Sequence, residues 1–455
     1  MNDPSAVARE ALDRSRHLSI GSAVSLEMYV QFGRTTSIKV FGGRIESVSS
    51  AKPRGLGVRA VDGGRVGYAY TGDLTPSGID RTLLEAVANA GAADPDPFAM
   101  LPTQSDEYPQ VDGLWDPGVS LLSLEDKGAV ALEAEAVALA QSGIELVEGS
   151  EYADSEKRVA IASTEGVWAE GEQSFCLSYL TAHAVRGEDR QSGLGFTMGR
   201  RPADLDPARA GREAAEKAGV LLGAVPCATG LYTAVFSREV AAAFLAAIAG
   251  ALSADAVQKG RSVFEGKIGQ VVAAPGVDLW DDGLAEDGLS TAPFDGEGVP
   301  SRRTCLLRDG VLQSYLHDSY TARRVPEGAA STGNALRGSY RALPTVGVSN
   351  LVLAGGEGDV AALLARVGTG VLVEGVAGIH SGINPATGEI SVGIVGRLIE
   401  AGLPGRPVRE VTLATDFMSF LRSITDRAGD DRWIPLYGSV RTPSIAVEGV
   451  AVSGT

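Results

Sequence analysis

Histidine and cysteine are scarce in this chain, four and three respectively among 455 residues. The histidines (His17, His183, His317 and His380) stand far apart, with no two within five residues of each other. A catalytic zinc takes three protein ligands at about 2.0–2.3 Å, commonly with two from one helix, so a local histidine pair for such a site is missing. The cysteines (Cys176, Cys227 and Cys305) form no Cys-x-x-Cys pair. An odd, sparse count reads as reduced thiols, not as a disulfide framework. Long apolar runs are also lacking. The longest, Val240 to Leu252, has 13 residues, short of the ~20 that span a bilayer. The start, Met1-Asn2-Asp3-Pro4, has no basic segment ahead of an apolar one, so no signal peptide is expected. These absences predict a soluble, cytoplasmic protein. Positive charge is in deficit too, with 40 Lys+Arg against 57 Asp+Glu and a net charge of −17. That balance argues against a nucleic-acid surface and against docking on an anionic membrane. No Gly-x-Ser-x-Gly elbow is present. Gly355-Gly356-Glu357-Gly358 has neither the spacing nor the Lys-Ser/Thr of a phosphate loop and reads as a turn before a helix.

Glycine is abundant, at 58 residues, and many of these separate short β-branched runs as turns between strands. The length suggests two large domains or about three ordinary ones, and a hydrophobic fraction of 44% is ample for a core. The pattern predicts an α+β fold: a strand-and-helix domain over residues 1–225, then a β-dominated domain over 226–455. In the first, helices are expected at 5–16, 76–90, 123–142 and from Asp206-Pro207 to Leu222. Strands are expected at 25–32, 35–41, 43–50, 55–61, 65–70, 144–148, 156–163, 167–172 and 175–185, with a surface loop over 92–118. In the second, a strand at 232–236 leads into an apolar helix from about 238 to 252. Short strands, glycine turns and helices at about 360–367 and 416–426 follow. An all-round apolar helix is a buried one.

Several blocks of the second half occur in the order found in a known family. They are Gln258-Lys259-Gly260-Arg261-Ser262-Val263-Phe264, Phe294-Asp295-Gly296-Glu297-Gly298-Val299-Pro300, Ser331-Thr332-Gly333-Asn334 with Ser339-Tyr340-Arg341, and Gly382-Ile383-Asn384-Pro385-Ala386-Thr387-Gly388. On these the chain resembles the TldD/PmbA family over nearly its whole length. The resemblance implies peptide hydrolysis by a pair of related chains. The TldD branch carries a zinc motif, His-Glu-x-x-x-His, on its central helix and a cysteine ligand near its C-terminus. The PmbA (TldE) branch lacks them. Anchored on Lys259-Gly260 and Ser262-Val263-Phe264, the motif falls on Leu245-Ala246-Ala247-Ile248-Ala249-Gly250. Leu245 and Gly250 stand at the ligand positions and Ala246 at the general-base position. Leucine and glycine side chains offer no lone pair to zinc, and alanine cannot carry a proton. Trp433 to Arg441 contains no cysteine.

The resemblance therefore implies a PmbA/TldE-like subunit with no metal and no catalytic residue of its own. Zinc and the catalytic Glu would come from a TldD-like partner, and the substrate would be a peptide or a peptide-like biosynthetic intermediate. The family-like blocks supply His380, Asn384, Asn334 and Arg341 as candidate substrate contacts. The blander role for His380, in the glycine-bracketed turn Gly378 to Gly382, is a bond to backbone. A different class of function, a self-associating scaffold or peptide-binding protein with no catalytic partner, is the alternative. The acidic pairs Asp281-Asp282 and Asp430-Asp431 read as solvated turns, and Cys305 as a core residue. Arg302-Arg303 and Arg323-Arg324 read as partners in internal salt bridges, or as a carboxylate clamp.

Overall fold

The computed structural model describes residues 3–18, 20–21, 23–104, 107–436 and 438–454. The first two residues, 105 and 106 of the 92–118 loop and Tyr437 lie outside the described residues. The fold is α+β. A seven-stranded antiparallel sheet is built from β1 (Ser25–Phe41), β2 (Arg44–Ala51), β3 (Arg54–Asp62), β4 (Arg65–Thr71), β5 (Ile144–Ser163), β6 (Trp168–Arg186) and β7 (Asp189–Gly199). Its order is β4-β3-β1-β5-β6-β7, with β2 added to the far half of β1. The helices α1 (Pro4–His17), α2 (Pro76–Gly91), α4 (Leu124–Leu139) and α5 (Pro207–Gly219) pack on it, and α3 (Gly118–Leu121) is a single turn. Each long helix starts where the sequence provides an acceptor for a free N–H: Asp3, Thr75, Ser123 and Asp206 all cap through the side chain.

Small residues let α4 and α5 lie close to the strands. The buried side chains of α5 are Ala210, Ala214, Ala215 and Ala218, with Gly211 facing α4. Opposite them, a Cβ on Gly195 of β7 would run into the Ala210 carbonyl oxygen. A glycine inside a strand commonly marks such a close backbone approach. At the β1–β2 hairpin, Gly42 and Gly43 both take positive φ, and their N–H groups donate to the Glu135 carboxylate of α4 at 2.8 Å.

The second half is β-dominated. Strand β8 (Gly230–Phe236) lies between Gly370–Ala377 and Ile445–Ser453. The sheet continues through Glu389–Glu400 to Leu403–Asp416, which also pairs with Ile445–Ser453 and so closes the ring. Helix α6 (Arg238–Ala251) follows β8. A second six-stranded sheet contains β9 (Leu279–Asp282) and β10 (Arg303–Arg308). Among the described residues no helix is long and apolar enough to cross a membrane.

The structure corrects several expectations. The paired segments 25–32/35–41, 144–148/156–163 and 167–172/175–185 are single strands of 17, 20 and 19 residues. The expected breaks at Gly33-Arg34 in β1 and Gln173-Ser174 in β6 are held extended by neighbouring strands. Strand β7 was not anticipated, because its Gly and polar residues hide the period-2 signal. The helix expected over 416–426 is only Phe417–Arg422, followed by a strand at Ile424–Arg427. The C-terminal strands reach 14 residues and are not all short. Asp281 is not in a solvated turn: it is 1% exposed on β9. Cys305 is only partly buried. Among the described residues Arg323 forms neither an internal salt bridge nor a carboxylate clamp, and donates instead to the backbone oxygens of Met100 (2.6 Å) and Leu101 (3.0 Å). Arg303, by contrast, lies 3.5 Å from Asp282 and over the Trp280 ring.

The Gly195 contact makes a specific prediction. Gly195→Ala, forced against helix backbone, should cost about 1–3 kcal/mol as overpacking. Gly91→Ala, with nothing within 4 Å of the added Cβ, should be neutral or slightly stabilising. Urea unfolding midpoints of the two variants check this.

Candidate functional site

Helix α6 carries the positions to which the resemblance assigns the metal motif. Its first half is core: Val240, Ala241, Ala242, Phe244 and Leu245 are at most 3% exposed. Phe244 packs with Phe236 and Phe420 in a ring trio with centroids 5.3–5.4 Å apart. Leu245 is wholly buried in the same hydrophobic core. Gly250 lies on the open side, where a Cβ would meet nothing within 4 Å. Five residues at about 100° each put positions 245 and 250 on different sides of the helix, whereas 246 and 250 share a face. None of the three has a donor atom. Among the described residues, no three His, Cys, Asp or Glu side chains converge as metal ligands. The residues present here do not fit a zinc ion.

The loop past α6 carries two of the four candidate contacts. His380 is exposed on the single turn Ile379–Gly382. Asn384 is also exposed, and its Oδ1 accepts from Ala386 N (3.0 Å) and, more weakly, Thr387 N (3.4 Å). Gly388 closes this loop beside Val263, 3.1 Å from where its Cβ would be, and its oxygen accepts from Phe417 N. Just before Val263, Ser262 Oγ donates to Ala251 O at the end of α6 (2.6 Å). His380 and Asn384 thus share one loop, and its Gly388 end lies against the Ser262-Val263 segment that bonds to the last residue of α6.

Asn334 and Arg341 sit elsewhere. Asn334 is 1% exposed. Its amide nitrogen donates to Asp281 Oδ2 (2.6 Å) and Gly347 O (3.0 Å), and its oxygen accepts from Thr332 Oγ1 (2.7 Å). Its side chain is therefore committed to holding β9 and the 331–349 segment together. Arg341 is exposed, with its guanidinium over Tyr340.

Between the two halves of the molecule runs a buried charge network that sequence reasoning missed. Glu27 of β1 accepts from Arg59 of β3 and from Arg337, each at 2.5 Å. Arg59 also donates to Glu297 (2.8 Å), and Glu297 accepts from Ser319 N (3.0 Å). Arg337 stacks on Tyr29 at 4.4 Å. Burial pushes Glu297 up, but Arg59 outweighs it and carries the carboxyl below its usual range. Next to it, Asp295 is raised by burial and by the Glu297 charge, although it accepts from the N–H groups of Glu297, Val299 and Ala335. The available signal was the placement of the charged residues Glu27 and Arg59 inside otherwise apolar strands. Read alone, it could not say that the polar face is covered.

Three family models match in succession: PmbA/TldA metallopeptidase domain 1 over residues 26–90, the central domain over 118–222 and the C-terminal domain over 229–454. The chain is 26% identical to the metalloprotease PmbA of Escherichia coli O157:H7, covering 97% of this chain and 96% of that protein. It is also 26% identical to the TldD homologue, a metalloprotease by name, of Haemophilus influenzae, covering 94% and 92%. A structure from Thermotoga maritima, described as a candidate modulator of a DNA gyrase, superposes with a TM-score of 0.88 at 27% identity, over 98% of this chain and all of that one. TldE from Thermococcus kodakarensis shares the fold, with a TM-score of 0.89 at 21% identity over 98% of this chain and all of that one. Equal identity to PmbA and TldD relatives means that individual residues, not overall likeness, must separate the branches.

Asp281 tests the buried polar layer. Burial raises its carboxyl to about 6, against bonds from Asn334 and Ser349 that lower it. The folded protein keeps this proton between about pH 4 and 6, where the unfolded chain has lost it. Its contribution to stability is therefore fullest below about pH 4 and is lost as pH rises through 6. Asp281→Ala should flatten that segment of the stability curve. It should also cost about 1–3 kcal/mol for each buried donor left unpaired, the Ser349 N–H first. Denaturation at a series of pH values checks both outcomes.

Proposed function

The chain belongs to the PmbA/TldD metallopeptidase family, and from that premise we propose that it is the subunit of a two-chain peptidase that does not hold the metal. The observation that carries this reading is the occupancy of the motif positions by Leu245, Ala246 and Gly250. A leucine buried in the hydrophobic core gives stability where a ligand would give reactivity. In this reading a TldD-like chain supplies zinc and the catalytic glutamate. This chain covers apolar surface on the partner, walls the cleft so that only unfolded or short peptides enter, and orients them through the loop carrying His380 and Asn384. Orientation alone is worth several kcal/mol of barrier when the reacting groups are well placed. The substrates are peptides or peptide-like biosynthetic intermediates, and the setting is cytoplasmic, in keeping with three unpaired cysteines.

Purified alone, the chain is expected to hold well under one zinc per molecule and to cleave no peptide. Stoichiometric, tightly held zinc with chelator-sensitive activity in the lone chain would refute the proposal. Co-expression with a TldD-like partner should yield a heterodimer by native mass measurement, with proteolysis that disappears when the partner's histidines are replaced. Leu245→Ala in this chain should act through stability alone, at about 2–5 kcal/mol for a buried leucine. A homodimer that ignores the partner would favour the scaffold role.

A further inference from the structure

Strands β3 and β4, the segment after α2 and the second half of the chain enclose a cavity of about 460 Å³. Val61, Val66, Met100 and Val346 give it an apolar wall. Of the charged side chains that line it, both cations are already matched. Arg59 is held by Glu27 and Glu297, and Lys259 lies 2.7 Å from Asp255. The carboxylates of Asp94, Asp96 and Asp318 remain, and among the described residues none of them has a cation within 4 Å. The two arginines nearby are turned to other partners. Arg323 donates to the backbone oxygens of Met100 and Leu101, and Arg324 lies over the Tyr320 ring.

Asp318 is the most buried of the three carboxylates, at 7% exposed. It caps the short helix Ser319–Arg323 through Oδ1, which accepts from Thr321 N (2.8 Å) and Thr321 Oγ1 (2.7 Å). Its Oδ2 accepts from no donor among the described residues, yet it is not sealed inside the protein. Because Asp318 lines the cavity and Oδ1 is turned to its own helix, Oδ2 is the atom left to face the opening. Asp96 is tied to the same helix, its Oδ2 accepting from Tyr320 Oη (2.7 Å). That bond holds the Asp96 carboxyl below its usual range, whereas burial and the Glu297 charge raise Asp318. A carboxylate taken out of water without a partner is costly, and an ammonium group supplies both the opposite charge and the missing donor.

We propose that this cavity binds the lysine side chain of a peptide, with the ammonium group against Asp318 Oδ2 and the methylene stem along Val61, Val66, Met100 and Val346. Lysine fits both parts, because its charge stands at the end of a four-carbon stem. The free amino end of a peptide carries the same charge without that spacer. The peptide as carrier rests on the function proposed above; the ammonium site does not depend on it.

The test is calorimetric titration of the lone chain with three probes: N-acetyl-Ala-Lys-Ala-amide, the same peptide with norleucine in place of lysine, and Leu-Ala-Ala-amide, whose only charge is its free amino end. The lysine peptide is expected to bind at least about tenfold more tightly than the norleucine peptide, a factor that corresponds to ~1.4 kcal/mol. Asp318→Asn keeps an oxygen for the helix cap and is expected to abolish that preference. Asp94→Asn, at an exposed position, should lower it at least about twofold and leave the fold intact. Urea unfolding midpoints show whether both variants remain folded. Equal binding of the lysine and norleucine peptides, no binding of either, or a preference unchanged in a folded variant would overturn the site. Tighter binding of Leu-Ala-Ala-amide than of the lysine peptide would keep the ammonium site and overturn lysine as its source. Because no partner or metal takes part, an inactive two-chain complex would count against the peptidase role and leave this result standing.

Discussion

Glu27 is the residue on which the arrangement of the two halves turns. One carboxylate near the start of β1 takes hydrogen bonds from Arg59 in its own sheet and from Arg337 in the second half of the chain. Arg59 completes the circuit through Glu297. Removing an ion from water costs several kcal/mol even after relaxation, and only close, well-oriented partners offset that cost. Separating the halves would leave each side with unmatched buried charge, so the seam is held by complementarity and not by apolar contact alone. Tyr68 and Tyr108 reinforce it by donating to the backbone oxygens of Tyr340 and Gly298, and Arg323 by donating to those of Met100 and Leu101. Such a network specifies one relative orientation, because a shifted one would strand its donors.

With the seam fixed, α6 is held against the closed β-sheet of the second half, and its chemistry is decided by side chains. The helix has the position of a catalytic helix and the composition of a core one. Phe244, Leu245 and Ile248 are wholly buried, and Gly250 leaves an open surface near the C-terminal end. A histidine at position 245 would have to replace a wholly buried leucine of the core. The four candidate contacts divide accordingly. His380 and Asn384 are exposed on one loop, Asn334 is consumed by structural bonds to Asp281 and Gly347, and Arg341 lies beside Tyr340 near the seam.

The chain's negative charge is unevenly used. Many carboxylates are solvated or paired at the surface, whereas Asp281, Asp295, Glu27 and Glu297 are built into the interior. Two of these, Asp281 and Asp295, are pushed towards their neutral forms by burial. Glu297 is kept ionised by Arg59. Chemically similar groups thus end up in different states a few residues apart, because desolvation and the nearest cation weigh differently at each.

From the sequence alone, the α+β class, the apolar helix after β8, the capped helices α1, α2, α4 and α5 and the empty motif positions could all be read, because each depends on local periodicity or on one side chain's chemistry. Strand continuity was not readable: Gln173-Ser174 and the segment around Gly33 look like breaks until a neighbouring strand supplies their hydrogen bonds. Nor was the fate of Asp281, Arg323 or Glu27. The sequence determined which residues carry charge and which positions cannot bind zinc. Only tertiary structure decided which charges are buried and paired, since burial and a partner more than 200 residues away in the chain are properties of packing and not of any local window.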